Sequence, residues 1–426
     1  MKYRFTPILF IFWSLFFTQH VFCAPSTEKK KISELKRANS EYQIKLELIK
    51  EGFKNVAILL DDEQAIITYE NMHYRYELRA VKKVIRLVIP FLQEKESILL
   101  IPQNRKIPLV LITVPVKKYL DFYDERISNN DFVKVIDISF KVDPTWKKIR
   151  KKPRENNSSY TFDFIVHPQL KAQFGNYDDP VESQLNLVPE LGTTLWPGMR
   201  LSAQLIIPVH NELNEKDNYF RPGILTLNQT FRLPKNTFLS TSAGYFTHNR
   251  YGADLELKKY HSNGLWSIGA KIGYTGTASY TKGVWFYTPL NDYTTLLNAE
   301  YRLPQYDLSF KITVGQYLFR DKGLRFDMMR EFGEVKIGFF ALKTEQGRNG
   351  GFKFSVPLFP KKYPSKKWIR IHPAKDFAWE YRYRGLQLGG TEYSTGNEIE
   401  EFIERLNPAF VKSQFSKRLN LQNVNY

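Results

Sequence analysis

The chain has 426 residues, 62 lysines and arginines against 44 aspartates and glutamates, and a formal net charge of +18. Its single cysteine, Cys23, excludes an internal disulfide, and once a leader ending there is removed it also excludes zinc–thiolate sites and a cysteine nucleophile. Aromatic residues reach 15% while mean hydropathy is −0.40, a pairing that suits a β-barrel with aromatic girdles better than an ordinary soluble globule.

The first 23 residues have the three parts of a secretory signal: Lys2 and Arg4, an apolar stretch over 8–17, and Val21-Phe22-Cys23 before Ala24. The apolar run is shorter than the roughly 20 residues a membrane helix needs. A lipidated Cys23 is the alternative, and the bulk of Phe22 speaks against it. Losing the leader lowers the net charge by two. In an exported protein that charge points to an anionic polymer or lipid headgroups as partners, and away from nucleic acid.

Residues 24–140 read as a small periplasmic α/β domain. Ile44, Leu48 and Ile49 make a helical stripe ending near Gly52, and 56–60 and 65–69 are short apolar strands. Leu78, Val81, Ile85, Val88 and Leu92 follow the spacing of an amphipathic helix, with further strands at 98–101 and 109–114. Residues 141–159 read as a basic linker. Lys147, Lys148, Arg150, Lys151, Lys152 and Arg154 repel one another and favour an extended, solvated chain, with anionic headgroups as a secondary contact.

From 160 to 390 the period changes to two. Trp266, Ile268, Ala270, Ile272 and Tyr274 alternate with Ser267, Gly269, Lys271 and Gly273. Leu308, Phe310, Ile312 and Val314 alternate with Ser309, Lys311, Thr313 and Gly315, and Phe377, Trp379, Tyr381 and Tyr383 with Ala378, Glu380, Arg382 and Arg384. A soluble sandwich alternates too. The length of the runs and the bracketing aromatics favour a membrane barrel: the eight steps from Trp266 to Tyr274, at about 3.4 Å and a tilt of about 40°, span roughly 21 Å. The fold class expected is therefore mainly β, a transmembrane antiparallel β-barrel of about 12–14 strands behind the α/β domain. Ile268 and Ile272 fall on its lipid face and Lys271 in its lumen, so Lys271→Gln is expected to be nearly neutral. Asn263-Gly264 signals a two-residue hairpin. The segments Asn228 to Pro234 and Asn298 to Pro304 share N-x-x-aromatic-R-L-P and suggest a repeated hairpin. In the tail, 391–426, Ile399, Phe402, Ile403 and Leu406 share one helical face, with Asn397 as N-cap and Pro408 as stop. That face must dock on the barrel mouth, the periplasmic domain or a partner.

Two stretches carry a family resemblance. Gly315-Gln316-Tyr317-Leu318-Phe319-Arg320-Asp321-Lys322-Gly323, continuing to Arg330-Glu331-Phe332 and Val335 to Gly338, resembles a motif of the YjbH-type exopolysaccharide-biosynthesis outer-membrane family. Tyr69-Glu70-Asn71-Met72-His73-Tyr74-Arg75 is similar to a segment of that family's periplasmic part, and Ser242-Ala243-Gly244-Tyr245 up to Gly252-Ala253 fits one of its hairpins. Residues 345–353 depart from the family pattern, keeping its glycines and little else. The resemblance implies an outer-membrane barrel that helps export or assemble a surface polysaccharide or capsule. It singles out Gly315, Tyr317, Asp321, Gly323, Arg330 and Phe332, with Asp321 and Arg330 as a structural ion pair or a ligand contact.

No phosphate-cradling Gly-rich loop, His-Glu-x-x-His zinc helix or Gly-x-Ser-x-Gly nucleophile elbow is present, and the histidines lack ligand spacing, so no metal, cofactor or catalytic residue is expected. The alternation puts Lys271, Lys311, Lys336, Lys353, Arg382 and Arg384 on the polar face, together with Lys258. They are either a cationic track for an acidic polysaccharide or the internal partners of Asp254, Glu256, Asp327, Glu334 and Glu380. The function expected is polysaccharide export at the outer membrane, alongside periplasmic or outer-membrane export proteins. A porin and a polysaccharide-modifying enzyme on a β scaffold are the alternatives.

Overall fold

The computed structural model describes residues 25–175, 180–213, 218–364, 368–383 and 389–418. Residues 1–24, on which the expected leader with Cys23 falls, and Arg384 lie outside them. The chain divides into two compact units, 1–40 and 41–426. Helix α1 (Pro25–Glu51) begins in the first and ends in the second, where Ile44 and Leu48 are fully buried.

A six-stranded sheet forms from β1 (Lys54–Leu60), β2 (Gln64–Glu70), β3 (Ser97–Asn104), β4 (Ile107–Pro108), β5 (Leu111–Pro115) and β6 (Asp137–Ser139). Its order is β1-β2-β3-β5-β6, with β4 paired to β3. β2 and β3 are parallel, and the crossover between them carries α2 (Glu77–Val88), whose Leu78, Val81, Ile85 and Val88 are buried as their spacing requires. Two short helices follow, α3 (Val116–Tyr123) and α4 (Asn129–Val135), the second capped by Ser128 Oγ accepting the Asp131 N–H at 3.2 Å.

The expected linker is not extended. Residues 143–149 form α5 (Asp143–Ile149), and Val142 and Ile149 are fully buried against Ala57, Ile66, Leu99 and Ile101. Burying such a side chain is worth about 1.5–3 kcal/mol, whereas repulsion between exposed like charges costs a few tenths. Lys147, Lys148 and Arg150 simply take the solvent side. Beyond the helix, Lys54 Nζ donates to Asn156 Oδ1 (2.9 Å) and Ser158 Oγ donates to the buried Glu70 carboxylate (2.7 Å). Burial pushes the Glu70 carboxyl above its usual range, while the Ser158 hydroxyl and the Arg105 N–H pull it back.

The domain therefore does not end at 140. Phe140 packs on Tyr260 (4.9 Å between centroids) and Phe238 (6.2 Å) of the second sheet, and one apolar core runs from the α/β elements into Ile399, Phe402 and Ile403. A fragment of residues 24–140 is expected to be less stable than one of 24–159 by about 3–6 kcal/mol, the burial of Val142 and Ile149. Urea unfolding followed by circular dichroism compares the two, and equal midpoints would restore the boundary at 140.

The second sheet has 15 strands: β7 (Phe162–Phe174), β8 (Val181–Thr193), β9 (Met199–Asn211), β10 (Arg221–Leu233), β11 (Thr237–Phe246), β12 (Arg250–Tyr260), β13 (Trp266–Thr281), β14 (Val284–Tyr287), β15 (Asp292–Leu303), β16 (Leu308–Gln316), β17 (Lys322–Phe332), β18 (Val335–Thr344), β19 (Gly347–Pro357), β20 (Ile369–Pro373) and β21 (Asp376–Arg382). From β7 to β19 it is an antiparallel meander, with β14 a short extension paired to β13. At one end β20 pairs with β7 in parallel, and at the other β21 pairs with β19. Only Ala374 and Lys375 separate β20 from β21, and the Ala374 N–H donates to Val166 O of β7 at 2.9 Å.

Burial along these strands is the reverse of a soluble sheet. Ile268 and Ile272 are each 51% exposed, and Leu255, Leu257, Leu297 and Ile312 are exposed as well, while Asp254, Glu256, Lys258, Glu300 and Arg302 are buried. The turn at Asn263-Gly264 is longer than two residues. His261 N–H bonds Trp266 O (2.9 Å), and a second turn, Gly264 N–H to His261 O (2.9 Å), fits inside it. The two R-L-P segments do end equivalent strands, β10 and β15, and each places its arginine on the polar face.

Candidate functional site

After β21 the chain returns at residue 389 and crosses the polar face of the sheet. Gly390 N–H donates to Asp321 Oδ2 (2.7 Å), Tyr393 Oη donates to Asp254 Oδ2 (2.7 Å), and Ile399 N–H donates to Glu256 Oε2 (2.8 Å). Thr226 Oγ1 is 3.2 Å from Asn397 Nδ2, and Ser240 Oγ donates to Asn397 O (3.4 Å). The segment then forms α6 (Ile399–Ile403), a 3-10 turn over Glu404–Leu406, and α7 (Pro408–Arg418). Pro408 thus opens a second helix instead of ending the first, as its fixed φ suits a first helical position. Asn397 spends its side chain on Thr226, and Glu398 stands at the N-cap position.

The charges on the sheet meet those on this segment. Lys258, almost fully buried, lies 3.2 Å from Glu300 and 3.4 Å from Glu400. Lys311 is 2.6 Å from the same Glu400. Lys271 is 3.9 Å from both Asp254 and Glu398, with its ammonium 5.0 Å from the centre of the Tyr393 ring. Arg302 contacts Glu300 (2.8 Å), Glu331 (3.4 Å) and Glu404 (3.7 Å), and Lys336 also pairs with Glu404. Glu400 alone bridges β12 to β16, and Glu404 bridges β15 to β18. Neighbouring strands stand about 4.8 Å apart, so each of these carboxylates ties together strands three places apart in the sheet order.

Of the expected basic set, the described members all have carboxylate partners. Lys271, Lys311 and Lys336 pair with the returning segment. Lys353 lies 2.7 Å from Asp327, and Arg382 lies 2.9 Å from Glu380. Glu334 joins none of them and instead pairs with Arg75 at 2.8 Å. A free cationic track is therefore not what the polar face presents. No site role is expected from the sequence for the acids Glu398, Glu400 and Glu404 or for the arginines Arg302, Arg200 and Arg370. Arg200 and Arg370 both clamp Asp163 (2.9 and 2.6 Å) beside Glu190. A signal for the acids existed: four glutamates within residues 398–404 of a strongly basic chain.

The residues drawn from the family resemblance build joints. Gly315 has φ +148°, and a Cβ there would stand 2.0 Å from Thr295 O, so no other residue fits. A Cβ on Gly323 would stand 2.3 Å from Lys343 O. Tyr317 is fully buried, with its N–H donating to Asp321 O (2.7 Å). Asp321 does not pair with Arg330. Its carboxylate accepts the Gln346 N–H (3.1 Å) and the Gly390 N–H (2.7 Å), fixing the point where the chain turns back over the sheet. Arg330 lies on the far end of β17, its guanidinium 4.9 Å from the Phe332 ring. Asp321→Ala is expected to cost about 1–3 kcal/mol by stranding buried amides, and Arg330→Ala less than 1 kcal/mol. Denaturation midpoints of the two variants test this, and equal losses would reinstate a shared role. The segment Tyr69 to Arg75 likewise joins the two sheets: Arg75 N–H bonds Lys361 O (3.2 Å), and Tyr363 N–H bonds His73 O (2.7 Å). His372 is buried and stacks on Tyr363 (4.3 Å).

Among the described residues no group of three or more His, Cys, Asp or Glu is arranged to hold a metal ion, and no helix is long and apolar enough to cross a membrane, which leaves crossing by strands untouched.

A family model described as YjbH, "Exopolysaccharide biosynthesis protein YbjH", matches residues 17–359. No curated relative matches the chain. Among solved structures, "OmpTdeltaL8 (loop L8 deletion mutant of OmpT), an outer membrane protein of Vibrio cholerae" is similar at a TM-score of 0.26 and 8% identity, over 46% of this chain and 86% of that one.

Proposed function

The chain belongs to the YjbH exopolysaccharide-biosynthesis family, and from that premise we propose that it acts as an outer-membrane β-barrel in the export or assembly of a surface polysaccharide or capsule. The observation that carries the reading is the inverted burial of the large sheet. Its outward face is apolar and exposed on strand after strand, and its other face is charged and buried. In water such a surface would be an aggregation hazard, while in a bilayer it is the lowest-energy arrangement. The aromatic brackets line up between neighbours, with Trp266 opposite Tyr301 and Tyr274 opposite Tyr293 in the β13–β15 register. Residues 369–382 act in this reading as a closing stave, supported by the pairing of their first half with β7 and of their second with β19.

In this reading the α/β domain stands in the periplasm, the outer-membrane lipids surround the apolar face, and export proteins of the envelope are further partners. The protein performs no catalysis. The returning segment on the polar face speaks against an open general porin. Membrane fractionation with heat-modifiable gel mobility tests the barrel, and recovery in the soluble fraction would end it. Deleting the protein should lower surface polysaccharide, and an unchanged amount would end the export role. Incubation with capsule-type polymers should release no new reducing ends.

A further inference from the structure

The polar face is occupied by the chain's own acidic segment, and the way it is seated suggests what else fits there. We propose that residues 389–407 are a displaceable plug whose carboxylates hold the places of an anionic polysaccharide's acid groups, with Lys258, Lys271, Arg302, Lys311 and Lys336 as the polymer's binding groups. The proposal rests on the export reading and names its substrate class.

The match is ordered along the segment. Glu398 sits by Lys271, Glu400 by Lys258 and Lys311, and Glu404 by Arg302 and Lys336. Within seven residues the segment thus offers three carboxylates, each to a different set of wall cations. Lys311 depends on them: without Glu400 no carboxylate among the described residues lies within 4 Å of it. Bare, the wall would carry cations buried beside too few acids, a costly state that an incoming polyanion would relieve.

Plug and polymer cannot share the site. The space left among Lys271, Thr294, Tyr317, Thr391 and Tyr393 is about 10 Å3, the lower limit for a single water and far too small for a sugar. Tyr393 reaches so close to the wall that a Cβ on Gly273 would stand 1.6 Å from its hydroxyl. A sugar chain passing Lys271 must therefore move the plug. The α/β domain grips the other side of the plug: Asn104 Nδ2 donates to Phe402 O (3.1 Å), and the Arg105 guanidinium stands 5.4 Å from the Phe402 ring centre. Release accordingly requires that domain to loosen its hold, which couples opening to whatever docks on it.

Full-length protein in detergent or bilayers, with polygalacturonate as the anionic probe and dextran of matched length as the neutral one, tests the proposal. In Thr226→Cys/Asn397→Cys the two side chains already meet, and oxidation ties the plug to the wall. Oxidation is expected to weaken polygalacturonate binding at least tenfold, about 1.4 kcal/mol, and reduction to restore it. Dextran should bind neither form. Independently, Glu398→Gln/Glu400→Gln/Glu404→Gln removes the competing charge without a cross-link and should bind polygalacturonate at least tenfold more tightly at low salt, with the gain fading as salt screens it. Equal affinity of oxidised and reduced protein, or a triple variant no tighter than the parent, overturns the displaceable plug and leaves a permanent one. Dextran binding as well as polygalacturonate would overturn the anionic class. Unchanged surface polysaccharide after deletion would sink the export reading while leaving these binding results intact, so the two failures are distinct.

Discussion

Arg302→Met should cost about 3–5 kcal/mol and strip most of the folded form from the membrane fraction. The guanidinium is buried at the end of β15 and serves three carboxylates on three elements: Glu300 on its own strand, Glu331 on β17 and Glu404 on the returning segment. Methionine fills similar volume but leaves those acids facing one another without a cation. The loss is thus repulsion and lost solvation more than the loss of one contact. Adding Glu331→Gln to the variant should recover part of the deficit, because it removes one of the stranded charges. Urea titration read by heat-modifiable mobility measures both. A single variant within 1 kcal/mol of the parent would mean that the face is wet enough to solvate the acids, and the tight seating of Glu404 would then be in doubt.

The second large effect lies on the opposite face. Ile272→Arg is expected to cost on the order of 2–4 kcal/mol, the penalty of a cation near the bilayer midplane. Ile268→Arg should cost a similar amount, because Ile268 stands two residues from Trp266 just as Ile272 stands two residues from Tyr274. Each isoleucine is half-exposed in the fold, so in a water-soluble protein either change would be nearly silent. Refolding into lipid vesicles, compared with refolding in detergent, separates the cases: silence in both would deny the strand a membrane. The contrast first drawn with Lys271→Gln does not survive. Lys271 lies between Asp254 and Glu398, and neutralising it leaves acids unpaired, so it should destabilise too.

Strand facing was legible in the sequence because it is a local property. A period of two fixes which side chains share a face wherever the strand ends up, and Ile268, Ile272 and Lys271 fall where that period puts them. The helical stripe of α2 and the apolar strands of the α/β sheet were legible for the same reason, and Gly315 carried its own steric signal. What the pattern could not contain is which distant charge meets which. Lys311 and Glu400 are 89 positions apart, and nothing in the spacing of either announces the other. The same holds for the linker: a run of like charges suggests an extended chain, but Val142 and Ile149 had a sheet to bury against, and burial outweighed repulsion. The sequence by itself determined two kinds of segment, their faces and the surplus of basic residues on one of them. Only the tertiary structure decided that those residues are paired, that Asp321 holds a backbone turn instead of Arg330, and that the acidic helix lies against the polar face, because each depends on long-range closure of the chain that no local period encodes.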